Sequence, residues 1–405
     1  MSKRIALLAA AVLATAGLAV SAATASSKQP TKKQASTLLV GINDEADTLY
    51  GNPTTAFATL KELNTQVLRV NLYWGGTQWA VAKSRPTDPN DPGDPAYTWT
   101  LYDRLVRYAV QYNIKVMFSI LFTPGWANGG KARTVAPTDF KDLENFAYAA
   151  AERYSGLWTP PKWQQDPSNP TTAQPLPKVS LWTAWNEPNN PIWLTPQYKR
   201  VGKTWRVESA FQYARICNAI YNGVHSRDLG PLPDENVACG VTGPKGNDAP
   251  TTPRASVDPI TFLVQAYKFG MKTFDVYAHH PYADAGNEPP SFVPTGKFKR
   301  RIQLGNINLL LSQLTKLYGP KHLWITEYGY QTNPPDKTIF GTSWANQALY
   351  MKQAYALARK NPRIDMMLWF LVRDEPNIGG WQSGLETVTN KKKPSWNAFL
   401  SLPRG

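Results

Sequence analysis

Past its first 25 residues the chain has no apolar run long enough to span a bilayer, which argues against stable membrane insertion. It also lacks a long basic helix or a nucleic-acid motif. Its 44 Lys and Arg outnumber 29 acidic residues, but they are scattered, apart from KFKRR at 297–301 and KKK at 391–393. Charge so dispersed predicts no nucleic-acid partner; the two clusters read as solvated surface or as contacts to an anionic glycan. Histidine is scarce, with four in all. His279 and His280 stand together, but only His225 and His322 remain to complete a ligand set, so no metal is expected. The two cysteines, Cys217 and Cys239, either pair as a disulfide in an oxidising compartment or lie buried as free thiols. Finally, GINDEADTLYGN after the first apolar run is no glycine-rich phosphate loop, which disfavours a doubly wound nucleotide-binding sheet.

What is present begins with a leader. MSKR supplies a positive start, IALLAAAVLATAGLAV a short apolar run, and Ala23-Thr24-Ala25 a small-residue cleavage site. Residues 1–25 therefore read as a secretory signal peptide and 26–36 as a polar leader, and a secreted, extracellular protein is expected. Residues 37–405 read as one domain. Apolar runs at 36–43, 66–74, 114–122, 178–187, 236–243, 274–282, 322–330 and 363–375 are each followed by an amphipathic stretch. Eight strand–helix units with strands apolar on both faces predict an α/β protein, a single (β/α)8 TIM barrel. In such a barrel the chemistry gathers where strands end and the following loops begin.

Two of those ends carry glutamates. The fourth strand runs into WNEPN with Glu187, and the seventh into WITEYGY with Glu327. Two carboxylates reaching over one cup are what glycoside cleavage needs, one to protonate the leaving oxygen and one to attack or to activate water. On the sixth strand YAHHPY places His280 and Tyr282 on one side; Tyr282 can hydrogen-bond Glu327, and His280 the acid or a sugar hydroxyl. Arg69, inside the second strand beside Asn71, needs a buried partner, and a carboxylate is the obvious one. Trp369 on the eighth strand reads as the floor beneath a pyranose or as a core tryptophan. Further aromatics follow the strands, Trp74, Trp126, Trp193, Trp344 and Trp381 among them, and some of the 15 tryptophans are expected to stack on sugars. Trp205 and Trp396 are expected to pack between helices. The loop PTDPNDPGDP and the loops after strands three and four could wall a cleft or close a pocket.

WNEPN, HPY, WITEYGY and the tryptophan of the eighth strand together resemble clan A of the glycoside hydrolases, and most resemble family 39-type and family 5-type enzymes. The resemblance implies a retaining glycoside hydrolase that cleaves β-glycosidic bonds in a poly- or oligosaccharide by double displacement. Glu187 would be the general acid/base, Glu327 the nucleophile, and Asn186 the residue that binds the 2-hydroxyl. Tyr282 and Arg69 would keep Glu327 anionic. No cofactor is implied, and a monomer acting on carbohydrate, neutral or anionic, is expected. A non-catalytic glycan-binding barrel and a transglycosylase with the same residues are the alternatives.

Overall fold

The computed structural model describes residues 38–226 and 234–405. The signal peptide and leader of the sequence reading lie outside the described residues. Eight parallel strands close into a barrel: β1 (Leu39–Asn43), β2 (Val67–Tyr73), β3 (Lys115–Leu121), β4 (Leu181–Ala184), β5 (Asn236–Thr242), β6 (Val276–His279), β7 (Leu323–Tyr328) and β8 (Ile364–Phe370). Each pairs with its sequence neighbours, and β1 also pairs with β8, Leu39 opposite Met366 and Asn43 opposite Phe370. The helices that return the chain are α1 (Pro53–Glu62), α2 (Thr100–Gln111), α3 (Phe140–Arg153), α4 (Glu208–His225), α5 (Pro259–Lys268), α6 (Asn308–Tyr318), α7 (Trp344–Lys360) and α8 (Pro394–Leu400). Their starts follow local chemistry. Asn52 caps α1 and Asp258 caps α5, each followed by proline, while Asp139 and Ser343 cap α3 and α7. Each such cap stabilises its helix by about 1 kcal/mol.

Strand alternation sorts the residues into two cores. Outward-facing Leu68, Val70, Phe118, Ile120 and Trp182 pack under the helices. Inward-facing Val67, Met117, Leu181, Val276, Trp324 and Met366 fill the barrel as an apolar plug. One side-chain step further along the strands, the interior becomes polar: Arg69, Ser119, Thr183 and Thr326, all buried. Thr183 and Arg69 Nε both donate to Ser119 Oγ, at 2.5 and 2.8 Å. The plug therefore ends in a hydrogen-bonded layer, and the carboxylates stand on it.

Cys217 of α4 and Cys239 of β5 are disulfide-bonded, their Cα atoms 5.9 Å apart. That settles the alternative the sequence left open and pins a helix to the strand beneath it. Closing a segment with a sequence separation of 22 residues stabilises the fold by about 3 kcal/mol in the chain-entropy picture. Of the tryptophans expected between helices, Trp396 is buried, but Trp205 is 42% exposed on a two-stranded hairpin, Tyr198–Val201 with Thr204–Val207, inserted before α4. A hairpin has only one face to bury, and Trp205 lies across from Arg200 near its tip. Among the described residues no helix is long and apolar enough to cross a membrane.

Candidate active site

The WNEPN stretch follows β4, and its bend comes earlier than the proline. Trp185 takes φ +69° and Glu187 φ +34°, a left-handed backbone that non-glycine residues rarely adopt and that clusters at functional sites. Fixed contacts hold each residue there. The Trp185 indole donates to the Trp193 carbonyl (2.9 Å), and the Glu187 amide donates to the Val241 carbonyl (2.8 Å). Asn189 clamps the neighbouring loop, accepting from the Gly243 amide (2.8 Å) and donating to the Val257 carbonyl (3.0 Å). Gly243 matters for space: a Cβ there would lie 3.0 Å from Glu187 Cδ. The carboxyl of Glu187 thus lies against bare backbone at the end of β5.

Across the cup, Glu327 is almost buried and meets three donors or charges. Arg69 Nη1 approaches Oε1 to 2.5 Å, the Tyr282 hydroxyl donates to Oε2 at 3.3 Å, and His280 Nδ1 lies 3.6 Å away. Arg69, fully buried, spends its remaining fork on Asn186 Oδ1 (2.7 Å) and Ser119. What Asn186 has left to offer a ligand is its amide N–H. Burial raises the Glu327 carboxyl, but the His280 and Arg69 charges, with the Arg69 and Tyr282 hydrogen bonds, outweigh it and hold the group below its ordinary 4.5. Tyr282, pushed well above 10 by burial and by the two glutamates, stays a phenol and a donor.

His280 joins the two sides. Its Nδ1 lies 3.0 Å from Glu187 Oε1 and its Nε2 2.9 Å from the Thr326 hydroxyl, so the imidazole bridges the β4 end to β7. His279 differs. Its Nε2–H donates to the Ile302 carbonyl, Nδ1 accepts from Thr242, and burial pushes it down to about 3, leaving a neutral structural ring. Among the described residues, Glu187, His280 and Glu327 are one trio able to share a cation, with atoms all within 4.8 Å of one another. The same spacing shares protons, and Arg69 already gives Glu327 a positive partner.

The structure brings together Glu187, Glu327, Asn186, Arg69, His280 and Tyr282. It does not bring the three tryptophans proposed as sugar contacts. Trp74 is fully buried, edge-on to Trp126 and against Phe146. Trp126 donates to the Ala82 carbonyl beneath the Arg85 guanidinium, its ring edge-on to buried Trp74 and committed to the β2 loop. Trp369 is also fully buried, its indole on the Ser383 carbonyl and its ring against Tyr328, so it presents no face to a sugar. Trp381, 37% exposed, lines the cup instead, its ring 5.3 Å from Tyr282 and 5.2 Å from Phe370. Phe340, Tyr330, Asn190 and Lys245 complete a hollow of about 270 Å³. The PTDPNDPGDP loop is not a wall of this cup. It folds around Asp94, which accepts from the Thr87 and Asp88 amides, and lies on the flank beside α2.

Many solved structures share this fold, three of them as follows. A family 39 glycoside hydrolase from Bacteroides cellulosilyticus WH2 is 18% identical, with a TM-score of 0.57, over 90% of this chain and 63% of its own. A glucosidase from Croceicoccus marinus is 13% identical, TM-score 0.58, over 90% of this chain and 66% of its own. Two fungal β-1,4-galactanases are represented at 13% identity, TM-score 0.55, over 90% of this chain and 99% of the relative. The chain thus spans just under two thirds of the first two. The sequence matches no family model and no curated protein. At these identities the likeness concerns the barrel; the chemistry has to be argued from the residues.

The Arg69 contact yields a pH prediction. A depressed carboxylate stabilises the fold above its unfolded pKa, and this contribution is lost as pH falls through the folded value. Arg69→Met removes one of the two lowering charges and a hydrogen bond, so that burial, which raises, is opposed only by His280 and Tyr282. The Glu327 carboxyl should then titrate higher by about one pH unit or more, read by carboxyl NMR. An unmoved midpoint would show that Arg69 does not set the ionisation of Glu327.

Proposed function

We propose that this protein is an exported retaining β-glycosidase acting on oligo- or polysaccharide, with Glu187 as general acid/base and Glu327 as nucleophile. The observation that carries the reading is the carboxylate pair, which reaches over one cup with an oxygen of each within 4.8 Å of an oxygen of the other. Retaining enzymes keep the two groups about 5–5.5 Å apart, whereas inverting ones leave about 6.5–9.5 Å for a water. The glycosidases and galactanases that share the fold support the same class of reaction.

In the first step Glu187 protonates the glycosidic oxygen while ionised Glu327 attacks the anomeric carbon and forms a glycosyl ester. Asn186, its carbonyl oxygen already taken by Arg69, directs its N–H to the 2-hydroxyl, a bond that strengthens as charge develops on the ring. Glu187, now a carboxylate, accepts the Nδ1–H of His280, then takes a proton from the incoming water, which cleaves the ester. Trp381 offers an aromatic face to the apolar side of the sugar.

The stereochemistry of the first product tests this. Proton NMR during rapid hydrolysis of an aryl β-glycoside should show the β-anomer of the sugar first, with the α-anomer growing in by mutarotation. An α-anomer formed first would mean inversion and would exclude a covalent role for Glu327.

A further inference from the structure

The largest cavity among those described is not the catalytic cup. It measures about 670 Å³, against about 270 Å³ for the cup, and lies on the barrel flank. Its floor is one face of α2: Thr100, Asp103, Arg104, Arg107, Tyr108 and Gln111 all line it. These follow the helical spacing of three and four, so the floor is on the order of 16 Å long at the rise of an α-helix. That suits an oligosaccharide better than a single sugar.

The opposite wall is an unusual piece of chain. Residues 154–180 join α3 to β4, at the barrel end away from the catalytic cup. Every other fully described helix-to-strand connection is far shorter: 63–66, 112–114, 269–275, 319–322 and 361–363. Long connections with little secondary structure of their own are uncommon in compact domains and are usually functional or linker segments; this one carries two short 3-10 turns, Lys162–Gln164 and Pro170–Ala173. The first of them holds Trp163 out at the groove, 59% exposed.

The back of the groove is fixed. Arg153 bonds Asp103 through Nε (2.9 Å) and Nη2 (2.6 Å) and Gln164 through Nη1 (3.0 Å), lying between the rings of Trp99 and Trp158. With Arg153 and Asp103 neutralising each other, the lining charges that remain are Arg104, Arg107 and Asp166. That balance is too small for a polyphosphate. Arg107 gives one N–H to the Gln174 carbonyl, and its fork has further donors to offer. An exposed indole for the apolar face of a sugar, beside planar donors and acceptors for its hydroxyls, is the chemistry of carbohydrate recognition.

We propose that this groove is a second, non-catalytic carbohydrate-binding site, which holds an uncharged stretch of the polymer that the cup cleaves. The choice of polymer rests on the glycosidase reading; the groove's affinity for glycan does not. The test is native electrophoresis of the full chain in gels cast with soluble galactan, xylan or mixed-linkage β-glucan. Alongside it, kcat/KM is measured on a small aryl β-glycoside. At least one polymer should retard the wild type. Trp163→Ala should weaken that retardation at least fivefold and Trp163→Phe should restore most of it, with kcat/KM unchanged within twofold in both. Retardation insensitive to Trp163→Ala, or no retardation by a polymer that the enzyme degrades, overturns the proposal. If no glycoside is cleaved but Trp163-dependent retardation persists, the catalytic reading falls and the groove stands. If there is neither cleavage nor retardation, both fall.

Discussion

Replacing Glu327 by alanine should lower turnover of an aryl β-glycoside by about 10⁴-fold or more, at least about 5 kcal/mol in barrier. Sodium azide should then restore part of the rate. The shortened side chain leaves room beside the anomeric carbon, and azide entering there attacks opposite the leaving group. The product is an α-glycosyl azide, identified by NMR. Glu327 is also the partner of a fully buried arginine, and breaking such a pair costs about 3–5 kcal/mol of stability. Glu327→Gln keeps an acceptor for Arg69 and separates the two effects: it should melt closer to the wild type and be equally inactive. Near-normal activity in either variant would remove Glu327 from the mechanism.

Glu187→Ala has a different signature, because a proton donor matters only as much as the leaving group needs one. On substrates with poor leaving groups, such as oligosaccharides, the loss should be about 10³-fold, within the range of general acid catalysis. On dinitrophenyl glycosides, which depart unaided, glycosylation should be much less affected and kcat should be limited by the second step. Azide should again rescue, but through the intact Glu327 ester, giving the β-azide. Opposite azide configurations from the two variants would assign the two roles in one experiment. Equal losses on good and poor leaving groups would take the proton-donor role from Glu187.

The barrel was readable because parallel strands buried on both sides leave continuous apolar runs, and all eight fell where those runs are. Arg69 was readable for the opposite reason: a guanidinium inside such a run must have a buried partner. The strand ends were harder. The bend of WNEPN belongs to the left-handed Trp185 and Glu187 rather than to Pro188. The two residues that support it, Asn189 and Gly243, act through contacts with the loop after β5. Their role depends on which loops meet, which local spacing does not encode. The tryptophans were the least readable. Trp74, Trp126 and Trp369 differ from Trp381 in burial and surroundings, not in local composition, and the path of the loops decides which ring meets solvent.

Arg69 has a consequence for the molecule as a whole. From β2 it reaches Ser119 on β3, Asn186 beyond β4, and Glu327 and the Thr326 carbonyl on β7. The two glutamates, proposed as donor and nucleophile, therefore come from opposite halves of the chain and are held in register by a side chain that finds its partners only when the sheet has closed. No half-barrel holds a working site. On the proposed mechanism, catalysis would be all-or-none with folding, and a partly formed chain would be chemically silent.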